Sequence, residues 1–204
     1  MNEYKTIAPF YDWILYPFMR GIRRNVLEIV QYLKPGRIVD VCCGTGDQLR
    51  LFQQNGIKAL GIDLSAAMLK VAAKGANPVK CFRQDATAMA FRDRSFDLAI
   101  VAFALHETEW EKARLILQEI HRVLKPAGKL LVVDYALKQN SGSIARSVIH
   151  VVEFLAGQQH FKSFLRYNRK GGLMKLVDPD HFTCLQNRHR AFDSIAVRLF
   201  QKVK

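Results

Sequence analysis

Apolar positions in this chain follow two different periods, and the alternation between them outlines the fold. Ile22, Val26, Ile29, Val30 and Leu33 recur at helical spacing over 21–33, predicting an amphipathic helix that Lys34-Pro35-Gly36 stops. Upstream, Tyr4, Phe10, Tyr11, Trp13, Tyr16 and Phe18 crowd a stretch punctuated by Pro9 and Pro17. Proline inside a helix removes a donor and clashes with the preceding turn, so short helical pieces are expected there rather than one long helix. From residue 37 the pattern becomes short apolar runs: 37–41, 58–62 ending at Asp63, 79–83 before Asp85, 96–103, and 129–133. The continuous run 96–103 is the signature of a strand buried on both faces, and 79–83 is the weaker strand of the set. Helical segments lie between them: one from Asp47, one capped by Ser65 through Ala72 with Met68 and Leu69 inward, and one over 109–124 carrying Ala113, Leu117, Ile120 and Leu124. Strands that alternate with helices predict βαβ units and a parallel sheet. In the last third, 143–155 reads as helical and Gly171-Gly172 breaks a second helical segment that starts near Phe161. Segments 182–185 and 194–203 then read as an antiparallel hairpin that closes the sheet.

The candidate chemistry gathers where the first strand ends, in Asp40-Val41-Cys42-Cys43-Gly44-Thr45-Gly46. Gly44 and Gly46 can adopt positive φ and present no Cβ, so a ligand can lie against the backbone. In an open α/β sheet the strand–turn–helix corner at the carboxyl ends of the strands is where nucleotide-like ligands dock. A dinucleotide fingerprint wants a third glycine three residues after the second, and Leu49 stands there instead. Asp40, Asp63 and Asp85 close three successive strands, so in a parallel sheet they share one rim. Carboxylates there can meet an ammonium, a ribose diol and an exocyclic amine, with the Ala86 amide at the adenine edge.

Charge and cysteine usage narrow the field. The chain has 204 residues, 50% apolar and 24% charged, as expected of one domain with a sizeable core. We divide it into a helical lid or cap over 1–33, a ligand-binding core over 37–135, and substrate-side helices with a closing β-hairpin over 136–204. Its net charge is +13, and residues 138–204 alone carry 12 Lys and Arg against 4 Asp and Glu. A basic C-terminal third makes an anionic substrate, an anionic surface or membrane, or a nucleic acid a candidate partner. Cys42 and Cys43 are adjacent while Cys81 and Cys184 are isolated, and none has zinc-ligand spacing, so reduced thiols and no metal are expected. Met1-Asn2-Glu3 opens without the basic-then-apolar pattern of a signal peptide, and the longest apolar stretch, 144–156, is broken by Arg146, His150 and Glu153. The expected compartment is the cytoplasm.

The ordered motifs resemble those of class I S-adenosylmethionine (AdoMet)-dependent methyltransferases. Residues 39–47 are similar to that family's glycine motif, and Gly61-Ile62-Asp63-Leu64-Ser65 to its second-strand motif. Arg83-Gln84-Asp85-Ala86 resembles the adenine-side motif, Ser95-Phe96-Asp97-Leu98 the fourth strand, and the run from Glu119 to Gly128 the helix–turn before the fifth. The likeness is greatest to the ubiquinone/menaquinone-biosynthesis C-methyltransferases, which share DVCCGTGD and a start similar to Ile7-Ala8-Pro9-Phe10-Tyr11-Asp12. The chain departs from them at Ala102-Phe103-Ala104-Leu105-His106-Glu107, in the C-terminal third, and at Cys42, where many relatives have a glycine. The resemblance implies a Rossmann-like, seven-stranded, mostly parallel sheet of order 3-2-1-4-5-7-6, flanked by helices, with an N-terminal helical lid. It also implies AdoMet as cofactor, S-adenosylhomocysteine as product, and no metal. The implied cofactor-binding residues are Asp40, Cys42, Gly44, Thr45, Gly46, Asp63, Leu64, Met68, Asp85, Ala86, Ala102 and Tyr11.

On this reading the chain transfers a methyl group to a small-molecule, quinone- or lipid-like acceptor. Two other readings stay open: a nucleic-acid (RNA) methyltransferase and a non-catalytic AdoMet-binding protein. The end of strand four lacks the Asn/Asp-Pro-Pro-aromatic and Pro-Cys signatures of base-modifying enzymes, which disfavours nucleic acid. His106 and Glu107, just past the fourth strand, are the expected catalytic residues. A neutral imidazole with an ordinary pKa of about 6.5 could take a proton from a phenol or enol, with Glu107 orienting it or acting as the base itself.

Overall fold

The computed structural model describes residues 8–74, 77–136, 147, 149–151, 153–154, 157–190 and 193–203, of which 8–18 are described by backbone alone. Seven strands form one sheet: β1 (Ile38–Val41), β2 (Ala59–Asp63), β3 (Cys81–Arg83), β4 (Phe96–Ala102), β5 (Leu124–Tyr135), β6 (Phe182–Arg190) and β7 (Ile195–Lys202). Their order is β3-β2-β1-β4-β5-β7-β6, as the motifs imply. The first five strands pair in parallel, and β7 runs antiparallel to both β5 and β6. The helices are α1 (Ala8–Leu33), α2 (Asp47–Gln54), α3 (Ala66–Ala72), α4 (Trp110–Val123), α5 (Gln158–Arg169) and the single turn α6 (Leu173–Leu176). The described residues between 147 and 154 are helical as well.

Alternation along each strand divides the core between the two faces. Val39, Val41, Ala99 and Val101 pack with Ala113, Ile116, Leu117 and Ile120 of α4 and with Tyr167 and Leu173. Ile38, Leu98 and Ile100 point the other way, to Ile22, Val26 and Val30 of α1 and to Leu49 and Phe52 of α2. The face predicted for 21–33 is thus the face that packs. Strands buried on both sides leave only their ends for polar work.

Four boundaries differ from the sequence reading, each for a local reason. Helix α1 is continuous from Ala8 through both prolines. Pro9 lies in its first turn, where the missing N–H had no helical partner, and Pro17 forfeits one hydrogen bond within a long helix. Strand β3 begins at Cys81 instead of Val79, because Val79 turns inward to pack beneath Gly46. Strand β5 begins at Leu124, and residues 125–128 bulge out between the Phe96–Leu124 and Leu98–Lys129 pairs. Strand β6 continues to Arg190, although Gln186-Asn187-Arg188-His189-Arg190 carries no strand-like apolar alternation. It is an edge strand held by β7, and polar, charged edges are a common defence against pairing with another chain.

Arg122 shows why the helix before β5 matters to the site. Its guanidinium donates to Glu119, to Asp93 and to the carbonyls of Met89 and Phe91, while Glu119 Oε2 accepts the Met89 N–H at 2.8 Å. This cluster ties the loop that follows Asp85 and Ala86 onto α4.

Gly61 is the tightest point of the sheet's binding edge. A Cβ there would stand 2.6 Å from both Cys43 Sγ and Leu49 Cδ1. Gly61→Ala is therefore expected to lower stability by about 1–3 kcal/mol through overpacking, read as a lower denaturant midpoint with unchanged slope. An unchanged midpoint would show that the turn yields without cost.

Candidate active site

The turn after β1 takes a left-handed backbone at three places: Cys42 (φ 59), Gly44 (φ 55) and Gly46 (φ 78). Positive φ is strained for a residue with a Cβ, so Cys42 holds a conformation that suits glycine better. A Cβ at Gly44 would meet nothing within 4 Å, so the turn faces open space on that side. At Gly46 a Cβ would strike Val79 Cγ2 at 2.8 Å, so that position has no room for a side chain. Gly46 then caps α2, and its N–H closes the turn on the Cys43 carbonyl at 3.0 Å. Arg50 braces the turn from α2, donating to the carbonyls of Thr45 and Ala72 and to Asp47.

Asp63 fixes this turn to the neighbouring strand. Its Oδ2 accepts the Gly44 N–H and its Oδ1 the Ser65 N–H, each at 2.8 Å. Ser65 Oγ in turn accepts the Met68 N–H at 3.3 Å, the expected cap of α3. Asp40, inside β1, is buried, and burial first, then the charges of Cys81 and Asp63, push its carboxyl up to about 8. Asp85 is exposed and accepts both the Thr87 N–H and hydroxyl, which hold its pKa below the usual range. Ala86 beside it is buried, whereas Leu64 leaves an apolar side chain 60% exposed on the rim. Met68 and Ala102 are half-buried, and Thr45 is half-buried in the turn. Of the sequence-predicted residues, Tyr11 has a side chain outside the described residues.

Cys42 reports how closely the acids converge. Burial pushes its thiol up, and Asp63, Glu107, Asp40 and Asp85 all push it further in the same direction. Asp63, Glu107, Asp40 and Asp85 thus all act on one thiol of this turn, Asp63 from the end of β2, Asp40 from inside β1 and Asp85 from just beyond β3. Among the described residues, no group of three or more His, Cys, Asp or Glu is placed to hold a metal ion, and no helix is long and apolar enough to cross a membrane. A hollow of about 180 Å³ lined by Leu33, Pro35, Asp97 and Lys125 lies at the amino ends of β1, β4 and β5 and contains none of these acids.

His106 is not where a neutral base would be. It is 3% exposed, its Nδ1 lies 2.6 Å from Asp134 Oδ1, and its Nε2 lies 3.4 Å from Glu153 Oε1. Asp134 also accepts the backbone N–H groups of His106 and Tyr135. Burial alone would lower the imidazole, but Asp134 and then Glu153 override it and raise it to about 10. Both ring nitrogens are thus engaged by carboxylates, which favours the imidazolium. Glu107 takes a different position, two-thirds buried, with Oε2 3.1 Å from Nδ1 of His160 on α5. That hydrogen bond raises His160 despite its partial burial. Neither Glu153 nor His160 was legible as a site residue. Glu153 left only the trace of a lone acid in an apolar helical stretch, and His160 left none.

Comparison with known proteins agrees with this geometry. A family model described as a methyltransferase domain matches residues 38–128. The demethylmenaquinone methyltransferase of Renibacterium salmoninarum is 34% identical over 137 residues, 65% of this chain and 57% of that protein. The demethylmenaquinone methyltransferase of Thermotoga maritima is 33% identical over 140 residues, 66% of this chain and 60% of that protein. The central part of the chain is thus similar to methyltransferase domains. The chain covers less than two thirds of the length of those curated relatives. Among solved structures, the PH0226 protein of Pyrococcus horikoshii OT3 superposes over 100% of this chain and 94% of its own, with a TM-score of 0.65 at 17% identity. A SAM-dependent methyltransferase of Methanosarcina mazei covers 82% of this chain and 92% of its own, with a TM-score of 0.60 at 20% identity. At such identities these structures establish the fold.

The charge on His106 has a measurable consequence. A group whose pKa is raised by folding contributes stability that is complete below its unfolded value, about 6.5, and is lost as pH rises through the folded value of about 10. The stability difference between the wild type and His106→Gln is expected to shrink steadily from pH 6.5 to 10, followed by denaturant midpoints. A difference that stays constant across that window would mean the ring is neutral in the folded protein.

Proposed function

We propose that the protein is an AdoMet-dependent methyltransferase acting on a small-molecule, quinone-type acceptor. The observation that carries this reading is the left-handed turn around Cys42, which Asp63 holds through the Gly44 N–H at 2.8 Å and whose thiol feels the charges of Asp40 and Asp85 as well. Acids gathered at one turn suit a positively charged ligand, because like charges at close range are costly unless something compensates them, and the nearby Arg23 and Arg50 are engaged by Asp47. AdoMet fits that demand with its ammonium and sulfonium, and when bound it supplies an electrophilic methyl group. Asp63 would hold the ribose diol, Asp40 the ammonium, and Leu64 with the Ala86 amide the adenine. Thr45, Gly44 and Gly46 would line the methionine side, with Cys42, Met68, Ala102 and Tyr11 completing the pocket.

Two relatives named demethylmenaquinone methyltransferases support the acceptor class. An acceptor that arrives as a phenol or enol must lose a proton for its carbon or oxygen to attack. Glu107 is the group suited to take it, steadied by the His160 N–H on its other side. His106, clamped by Asp134 and Glu153, serves instead as a fixed positive charge that shapes the rim. On α5 the exposed side chains of Lys162, Arg166 and Arg169 continue into Lys170, which suits an anionic surface or membrane bearing a lipid-like acceptor. The same stripe is what favours the second reading, an RNA acceptor. Labelled AdoMet incubated with cell extract separates them: label in the lipid or small-molecule fraction supports the first reading, and label in RNA overturns it.

Asp63→Ala is expected to weaken AdoMet at least tenfold in calorimetry, since charged hydrogen bonds to a diol contribute about 1.5–3 kcal/mol each. Because Asp40 keeps its proton up to about pH 8 without ligand, binding at pH 7 should release a proton, detected as a dependence of the heat on buffer ionisation enthalpy. Absence of AdoMet binding by the wild type would end the assignment.

Glu107→Gln should leave AdoMet affinity within about twofold and lower turnover on the acceptor by about 10²–10⁴, the usual range for a positioned acid–base group. Wild-type turnover with an unshifted pH–rate profile would remove Glu107 from the chemistry.

A further inference from the structure

Cys43 and Cys81 are 38 positions apart, yet their Sγ atoms lie 3.7 Å from each other. Cys43 is in the turn after β1 and Cys81 opens β3, with β2 between those strands in the sheet. Two neighbouring spacings of about 4.8 Å each would normally separate such residues. Here the Cys43 N–H bonds to the Ile62 carbonyl at 3.0 Å, so the turn folds over the end of β2. Gly61 is the residue of β2 in register with Cys81, and its missing side chain leaves the notch in which the sulfurs meet. Both thiols are half-buried, so a small solute can approach them. The pair is also electronically unequal. The Cys43 hydrogen bond, and Arg50 after it, lower Cys81, whereas the same bond and burial raise Cys43. The thiolate form is the nucleophile in thiol oxidation, so Cys81 is the sulfur that reacts first.

We propose that Cys43 and Cys81 form a redox-modification site, a dithiol that hydrogen peroxide converts into an intramolecular disulfide across Gly61, disabling the ligand-binding turn. The Cys81 thiolate attacks one peroxide oxygen, the O–O bond breaks, and the departing hydroxide takes up the proton Cys81 had released, giving water and a sulfenic acid. The Cys43 sulfur then attacks the Cys81 sulfur, the S–O bond breaks, and the hydroxyl leaves as a second water with the Cys43 proton. Two thiols lose two electrons, one peroxide gains them, and a thiol reductant reverses the bond by exchange. The sulfurs must close from 3.7 Å to about 2.05 Å. That movement pulls on Cys43, which sits between the left-handed Cys42 and Gly44, and Gly44 is the residue whose N–H anchors Asp63. This binding consequence rests on the AdoMet reading, whereas the disulfide does not.

The test uses the full reduced chain treated with hydrogen peroxide, followed by intact mass and a non-reducing peptide map. The expected result is loss of two hydrogens and a Cys43–Cys81 linked peptide. The link should be absent in Cys43→Ser and Cys81→Ser and retained in Cys42→Ser and Cys184→Ser. Oxidation confined to Cys184, the exposed thiol, with Cys43 and Cys81 still reduced would overturn the site. In parallel, AdoMet affinity of the oxidised protein should fall at least tenfold and recover with a thiol reductant, and peroxide should leave the affinity of Cys81→Ser unchanged. A mapped disulfide with unchanged affinity would overturn the effect on the turn while the site stands. Failure of the reduced protein to bind AdoMet would overturn the methyltransferase reading and the binding consequence together, leaving the peptide map to decide the disulfide.

Discussion

The left-handed turn after β1 is the constraint from which the rest of the binding edge follows. Three positive-φ residues within five positions reverse the chain over the end of β2, which only works because Gly61 presents no side chain beneath it. Once reversed, the turn aims the Gly44 N–H at Asp63 and starts α2 at Gly46, so one backbone conformation sets a strand end, a helix start and the orientation of a carboxylate. Strain at Cys42, of the order of 1–3 kcal/mol for an ordinary residue in such a conformation, is sustained because hydrogen bonds on both sides over-determine the geometry. The same closeness brings Cys43 to Cys81, so the feature that builds the ligand cradle also creates its exposure to oxidation.

Beside that cradle the protein buries a second charged group with opposite logic. At the turn, burial first and then the charges of Cys81 and Asp63 raise Asp40, which holds its proton, while Arg23 and Arg50 are drawn to Asp47. At the ends of β4 and β5, Asp134 and Glu153 converge on His106, and the imidazole responds by holding its own. A buried ion pair stabilises little compared with an apolar packing of the same volume, but losing one partner leaves the other charge uncompensated. Here Glu153 keeps one buried oxygen without a partner, so His106 is the only described ion-pair partner of that side chain. The arrangement fixes a helical residue from the C-terminal third onto the rim of the sheet. It also leaves Glu107, next in sequence to His106, turned toward α5 and the edge of the site.

Several parts of this organisation are local in origin and were legible in the chain. Unbroken apolar runs specify strands buried on both faces, helical spacing at Ile22, Val26 and Val30 specifies which side of α1 packs, and Ser65 caps α3 as its type and position require. Gly44, Gly46 and three aspartates in or just after successive strands identify the binding edge, because parallel strands place equivalent ends together. Asp63 does end its strand, whereas Asp40 lies inside β1 and Asp85 beyond β3. The second half of β6 was not legible. Its polar residues have no intrinsic strand pattern, and pairing with β7 alone makes them one.

The sequence by itself therefore determined the βαβ order, the ligand corner and the residue types that face it, all of which depend on neighbours within a few positions. Tertiary structure alone decided the chemistry of the individual side chains. His106 reads as an ordinary histidine until β5 and the helical residues around Glu153 enclose it, since a pKa is set by burial and by charges that arrive from 28 and 47 positions away. His160 becomes a partner of Glu107 only when α5 is laid across the rim. Cys43 and Cys81 look isolated in the chain, and they become a pair because a parallel sheet converts the distance between strands into the width of one glycine.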